Sequence, residues 1–306
     1  MVTVYGESLL SAPDCVSPRC DEPRRSLPSQ CRSCERCHNL PTKFGGSAMT
    51  AERIGAWFEG RFIPASEGGI HHRNGESSQS TASANQITGV RVSLNLLGDR
   101  YIEAVNDRDI EQNAQQQRQV NLGIAGAVVS APVLEASESS TEVRVGRFGW
   151  KSQQTSLMSS CADSLRYELG VRNRLYPDEY PTHAPGDGPT PFDTPDPKTH
   201  KTELERLVDE IRQTSPPPRD ANLAESPDAQ GGEKLFTQIG CAVCHVATYK
   251  TLTPGTRING GTYKVPKLLG DTVIHPYSDF LLHDVGTGDG IPVAGWEGIL
   301  IVNIDC

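Results

Sequence analysis

The sequence predicts a mainly α-helical fold of two lobes joined by long irregular loops. Apolar residues recur every four positions in 157–169, which is the spacing of one helix face. A second apolar stripe in 204–211 follows a Thr-x-x-Glu capping box, and a Ser-Pro pair at 226–227 begins another helix. The 29 glycines and 22 prolines among 306 residues are typical of a chain with many loops. These observations favour groups of helices with long connections.

The other segments follow in chain order. We expect a short helix at 50–60, a polar loop rich in Gly and Ser at 64–86, and two helices within 91–119. Residues 120–145 are predicted to be irregular or extended, and the Pro-rich stretch 176–200 is predicted to be a loop.

Composition divides the chain into three expected regions. Residues 1–30 are rich in Pro, Ser, Arg and Cys and are expected to be an atypical tail. An N-terminal region should span 31–215 and a C-terminal region 222–306, because Pro216–Pro218 and a polar run separate helical segments there. No apolar run is long enough to cross a membrane, and a net charge of −9 argues against a nucleic-acid partner.

Two Cys-x-x-Cys-His motifs carry the strongest functional signal in the chain. Two intervening residues place both thiols on one helical turn, where they can add to the two vinyl groups on one porphyrin edge. The histidine that follows then lies under the iron as its proximal ligand. We therefore predict two covalent haems c, one in each cytochrome c-like lobe. The predicted attachment residues are Cys34, Cys37, Cys241 and Cys244, and the predicted iron ligands are His38 and His245.

Other uses of paired cysteines fit the sequence less well. A Cys₄ zinc ribbon has ~15–20 residues between its pairs, whereas these two pairs lie far apart along the chain. A thioredoxin-like dithiol expects a βαβ context, and neither motif has one. A disulfide does not require histidine after the second cysteine.

The helix that leads into the second motif supports the haem prediction. Gly232, Phe236 and Gly240 recur every four residues up to the motif, so that small residues allow close approach and the aromatic ring packs beside the haem. Leu235, Phe236 and Ile239 are expected to face inward.

The sixth ligand of each iron decides between catalysis and electron transfer. The chain has three methionines and none follows His245, so the second haem, if the chain is complete, cannot take a cytochrome-type sulfur ligand from downstream. His275, His283 or an open position remain for that iron. For the first haem the nearest candidates are His71 and His72 in the polar loop, which could equally be solvated.

The chain resembles the bacterial di-haem oxidoreductases of the peroxidase or thiol-oxidoreductase type, which are distant relatives of the di-haem cytochrome c peroxidases. The resemblance covers roughly 31–294. It rests on the two haem motifs, on VGRFGWKSQQTSLMSSCADSLRYELGVRNRL, on GGEKLFTQIGCAVCHVAT and on HPYSDFLLHDVGTGDG. The chain departs from the family before Cys34 and after about Pro292, so we expect both ends to be truncated or altered.

The resemblance implies a redox protein of the periplasm, although no signal peptide is present in this chain. The expected activity is electron transfer with peroxidase-type reduction at one haem; the alternatives are a pure electron-transfer cytochrome with six-coordinate irons, or a non-functional fragment. The expected partners are an electron-donor protein or small redox molecule and hydrogen peroxide. Arg147 and Trp150 could stabilise charge and relay electrons. They could instead have structural roles, with Arg147 bound to a haem propionate and Trp150 packed on a ring. The candidate catalytic residues are His71, His72, Arg147, Trp150 and His283.

Overall fold

Helices and short antiparallel strands both contribute to the architecture. The computed structural model describes residues 34–48, 50–58, 61–64, 70–73, 86–120, 123–137, 140–169, 171–177, 193–284 and 290–291. The predicted tail at 1–30 lies outside these residues. The helices are α1 (Cys34–Cys37), α2 (Asp99–Glu103), α3 (Asp107–Val120), α4 (Leu157–Leu169), α5 (Glu203–Gln213), α6 (Ala221–Ala224) and α7 (Pro227–Gln238), with a 3₁₀ turn at Cys241–Val243. The strands are β1 (Thr50–Phe58), β2 (Arg61–Pro64), β3 (Ile70–Arg73), β4 (Gln86–Val92), β5 (Ser130–Pro132), β6 (Val143–Val145), β7 (Tyr249–Lys250), β8 (Arg257–Ile258), β9 (Tyr263–Lys264) and β10 (Val273–Ile274).

The largest sheet is built around β1. Strand β4 pairs along it antiparallel, with Thr50 opposite Val92 and Ala56 opposite Gln86. Strands β2 and β3 also pair with β1, each over four residue pairs. The other strands form two-stranded antiparallel pairs, β5 with β6, β7 with β10 and β8 with β9.

The prediction of a mainly α fold with two cytochrome c-like lobes is wrong. Among the described residues, 33% are helical and 17% lie in strands. The clearest local error is 50–60, predicted as a helix, whose described part is β1. Helix propensity is a weak preference, and pairing with β4, which carries Ile87, Thr88, Val90 and Val92, overrides it.

Several predicted helices are confirmed. Helix α4 spans the predicted stripe, and Thr202 and Glu205 form the predicted capping box at the start of α5. The apolar faces of these two helices pack against each other in the main core. This core buries Leu157, Cys161, Leu165, Leu204, Leu207, Val208 and Ile211.

A buried carboxylate joins four parts of the fold. Glu103, at the end of α2, is fully buried. Its Oε1 accepts hydrogen bonds from the backbone N–H of Leu157 and from Asn259 Nδ2, both at 3.0 Å. Arg212 of α5 donates to both oxygens at 2.9 Å. The first turn of α4, helix α5 and the β8–β9 hairpin are thereby tied to α2.

Hydrogen bonds also cross the predicted boundary at 215–222. Leu252 N donates to Ala104 O at 2.8 Å, and Leu282 pairs with Ala127 in an antiparallel bridge. The division into two regions remains a prediction, but both sides are bonded to each other. Within the described part of the chain, no helix is long and apolar enough to cross a membrane.

Candidate functional site

The first motif forms a single helical turn, α1. His38 N donates to Cys34 O at 2.9 Å, which closes the turn and brings both cysteines and the histidine together. His38 Nδ1 lies 2.8 Å from Leu94 O. A carbonyl can only accept, so Nδ1 carries the proton and Nε2 is the nitrogen available to a metal. Burial lowers the pKa of His38, against the opposing effect of its carbonyl partners.

The second motif repeats this arrangement. Its first residues form the 3₁₀ turn, and His245 N donates to Cys241 O at 2.9 Å. His245 Nδ1 donates to Tyr277 O at 3.0 Å, which fixes the orientation of this ring as well. The Phe236 ring lies 5.8 Å from the His245 ring and 6.0 Å from the Tyr277 ring, measured between centroids. Phe236 is thus beside the motif histidine, and its predicted packing against a haem remains a prediction.

Helix α7 positions the second motif but leaves its apolar side uncovered. Ser226 caps the helix by accepting from Ala229 N, and Pro227 is its first residue, both as predicted. The expectation that Leu235 and Ile239 face inward is wrong, because their exposed fractions are 54% and 66%. The reason is that α7 packs mainly on α6 and the 3₁₀ turn among the described elements. An apolar surface is therefore open next to the second cysteine pair.

One cavity connects the two motifs. Its volume is about 600 Å³, and both His38 and His245 line it. Three of the predicted catalytic residues lie in the same wall: Arg147, Trp150 and His283. A smaller cavity of about 70 Å³ lies beside Cys34, Cys37 and Cys161. The sequence predicted each motif separately, and the structure brings both to one space.

The residues present fit covalent haem. The described cysteines are thiols rather than disulfides, and each motif offers two of them next to a histidine whose Nδ1 is held by a carbonyl. Thioether attachment and axial ligation need this donor set. The open apolar side of α7 and the large cavity provide surface against which a porphyrin can pack.

Arg147 is fully engaged with the protein. Its guanidinium donates to Val105 O and Val145 O and forms an ion pair with Asp107. Burial, and to a lesser extent the neighbouring Arg144 charge, lowers the pKa of Arg147 to about 10. The Asp107 carboxylate acts in the opposite direction. Arg147 therefore places a fixed positive charge at the cavity wall.

The remaining candidates are Trp150 and the histidines His275, His71 and His72. The Trp150 indole N–H donates to Val92 O at 2.9 Å, which fixes the ring in the cavity wall. His275 Nδ1 lies 3.2 Å from Ala247 O and from Thr248 Oγ1. His71 and His72 lie in β3, opposite Glu52 and Ala51, and their side chains are outside the described atoms.

Two acidic residues of the cavity wall were not identified from the sequence. Burial raises the pKa of Asp99 to about 7, with the Glu103 carboxylate as the second cause. Burial likewise raises the pKa of Glu168 to about 7, with Asp163 second. Both residues line the cavity with His38. Their only sequence signal is proximity to helix ends, which does not distinguish them from ordinary surface acids.

Gln117 and Asp279 were also missed. Gln117 follows Ile110 and Ala114 on the buried face of α3, and a polar residue at such a position is a recognisable signal. Asp279 lies four residues before His283, and the two side chains are 3.1 Å apart. Asp279 thus supplies a carboxylate beside His283.

The fold and site bring two Cys-x-x-Cys-His motifs to one cavity, with the thiols and histidines that haem attachment would need. A family model described as "Di-haem oxidoreductase, putative peroxidase" matches residues 70–293, and the chain belongs to this family. The matched segment includes the second motif and lies after the first. Comparison with curated proteins found no match. Comparison with solved structures found none either.

Proposed function

We propose that the chain is a di-haem c-type cytochrome oxidoreductase in which one iron reduces peroxide and the other relays electrons to it. The family supports the oxidoreductase class and two haems. The covalent c-type attachment is our inference from the thiols and histidines of the two motifs. Cys34 and Cys37 would hold the first haem with His38 as ligand, and Cys241 and Cys244 the second with His245.

The observation that carries the proposal is that the two motif histidines line one cavity and have the same kind of hydrogen-bond partner. Each histidine donates Nδ1–H to a backbone carbonyl, Leu94 O or Tyr277 O, and both residues line the same space. Metal-bound histidines characteristically donate their other ring N–H in this way. Two such sites in one cavity favour electron exchange between two haems.

The surrounding residues fit peroxide chemistry. Bound haem supplies a redox-active iron, whereas O–O cleavage also needs groups that move protons and stabilise charge. The carboxyls of Asp99 and Glu168, with pKa values of about 7, can hold or release a proton near neutral pH. Arg147 contributes a fixed positive charge and Trp150 an aromatic ring in the wall. His71 and His72 remain candidates beside the first haem.

The proposed setting is the periplasm, because covalent haem attachment takes place outside the cytoplasm. Electrons would come from a donor protein or a small redox molecule. The proposed oxidant is hydrogen peroxide, which is small enough for the cavity of about 600 Å³.

The test is to express the chain with a secretion signal and the haem-ligation machinery, and then to measure haem content and peroxide reduction. We expect two haems per chain by mass and pyridine haemochrome, a high-spin iron fraction and reaction with hydrogen peroxide. His38→Ala and His245→Ala should each alter the spectrum of one iron while both porphyrins stay attached.

His200→Asn is the matched control. His200 is exposed and has a φ of 56°, which asparagine tolerates, so both spectra should be unchanged. Zinc in place of haem would overturn the proposal, and so would one haem or none in correctly secreted protein. A protein that is low-spin in every redox state and inert to peroxide would instead be an electron carrier.

A further inference from the structure

Gln117 lies at the centre of a buried polar cluster beside the second motif. Its carboxamide uses all four of its hydrogen-bonding positions. Nε2 donates to Val243 O at 3.0 Å and to Asp279 Oδ2 at 2.6 Å. Oε1 accepts from Gly126 N at 2.7 Å and lies 3.0 Å from His283 Nε2. One side chain therefore joins the haem-attachment turn to two residues of the segment 279–283.

Two backbone groups fix the orientation of this amide. The Gly126 N–H can only donate, so the atom that faces it is the amide oxygen. The Val243 carbonyl can only accept, so the atom that faces it is the amide nitrogen. The usual ambiguity of a glutamine flip is thus removed by partners whose roles are fixed.

The orientation of Gln117 determines the tautomer of His283. The amide oxygen accepts only, and so does the Asp279 carboxylate, which lies 3.1 Å from the same ring nitrogen. His283 Nε2 must therefore carry a proton that both groups accept. In the neutral ring the lone pair is then on Nδ1, which contacts no hydrogen-bond partner among the described residues.

His283 lies next to the second motif. His283 and Asp279 are only 3% and 4% exposed, yet both line the cavity that contains His245. Ligand atoms of Cys244, Asp279 and His283 all lie within 4.8 Å of one another. The cluster is tightly packed: a Cβ on Gly126 would lie 2.8 Å from Gln117 Oε1 and 2.5 Å from Leu281 Cδ1. His283 therefore has little freedom to rotate its ring.

We infer that Gln117 and Asp279 are positioning residues that hold His283 with its Nδ1 lone pair towards the cavity. There Nδ1 accepts the proton of a small weak acid, such as hydrogen peroxide, that binds at the second haem. The inference rests on the proposed function and names the group that acts there. The proton of hydrogen peroxide passes to His283 Nδ1, and Nε2–H stays bound to Gln117 and Asp279. No electron moves in this step.

Cyanide binding tests the inference without turnover, because hydrogen cyanide must give up its proton when it binds to ferric haem. In the haem-loaded protein, His283→Ala should slow cyanide association at one iron by ~100-fold, as for the loss of a general base. Gln117→Leu should slow the same phase by ~10-fold, because the ring keeps only the Asp279 contact. Gln116→Leu, on the exposed side of α3, is the control and should leave both phases unchanged.

The tautomer is measured independently, since Gln117→Leu could disturb folding. ¹⁵N-histidine NMR of the reduced, carbon monoxide-saturated wild-type protein should show His283 protonated at Nε2 only, with the signal assigned by its loss in His283→Ala. A proton on Nδ1 overturns the inference. Unchanged cyanide rates in His283→Ala overturn it too, as does cyanide binding that appears at the second iron only after His283 is removed. If neither iron binds cyanide or reacts with peroxide, the proposed function itself fails.

Discussion

Glu103 is expected to be the most costly polar residue to neutralise in the described core. It is completely buried and accepts hydrogen bonds from Arg212, Asn259 and the Leu157 backbone. Glu103→Gln leaves the Arg212 charge without its counterion, which should reduce the free energy of unfolding by ~3–5 kcal/mol. Urea unfolding measures this loss. Glu111→Gln, on the exposed face of α3, should change it by less than ~0.5 kcal/mol.

Asp99 should make the protein less stable as pH rises towards neutrality. Burial raises the pKa of this carboxyl from 3.8 to about 7, so the folded state keeps a proton that the unfolded chain has lost. The free energy of unfolding should therefore fall between about pH 4 and about pH 7, and the penalty is complete above that range.

The Asp99→Asn variant should remove part of this slope. The unfolding midpoint of this variant should be higher than that of the wild type at pH 8, and the difference between the two midpoints should be smaller at pH 4. Asp228→Asn, at an exposed position, should follow the wild type at both pH values. An unchanged slope in Asp99→Asn would show that Asp99 ionises normally in the folded state.

The start of α7 is held by a single side-chain cap. Ser226 accepts from Ala229 N, and no residue of the helix is buried among the described atoms, so packing contributes little. Ser226→Ala should cost ~1 kcal/mol and accelerate amide hydrogen exchange in α7. Ser226→Asp keeps an acceptor at the cap and should exchange as the wild type does. Equal exchange in both variants would mean that another contact holds this end.

Elements with strong local signals were predicted well from the sequence. Helices α4, α5 and α7 carry periodic apolar residues or capping residues, and each forms at the predicted place. Strand β1 was missed because its partner β4 is remote in sequence, and no local pattern records that pairing. The inward face predicted for α7 failed because periodicity shows which side is apolar and not what covers it.

The two sides of the exposed run Ser215–Asp220 should behave as one body. Leu252 is bonded to Ala104 and Asp279 to Gln117, so parts from either side of this run share a core and a cavity. A specific protease site inserted in the run should give a nicked protein whose fragments co-elute in gel filtration and separate only in urea. Fragments that separate in buffer would support two independent regions.

The site as a whole could be predicted only in part. The motif histidines His38 and His245 are predicted as iron ligands from spacing alone, because haem attachment imposes a short local pattern. Their carbonyl partners, Leu94 and Tyr277, were not, since any residue supplies a carbonyl and only the fold selects which one. The link between Gln117 and His283 similarly joins segments that are distant in sequence.

In the proposed di-haem protein, the carbonyl acceptors of His38 and His245 would bear on the electronic character of each iron. A carbonyl accepts a hydrogen bond without drawing the proton away, so each ring remains a neutral imidazole and gains little imidazolate character. A less electron-rich ligand stabilises ferric iron less and raises the reduction potential. Because both rings have the same kind of partner, this hydrogen bond would not distinguish the irons of the proposed di-haem protein. A difference in driving force between them would then come from other features, such as the sixth ligand or burial.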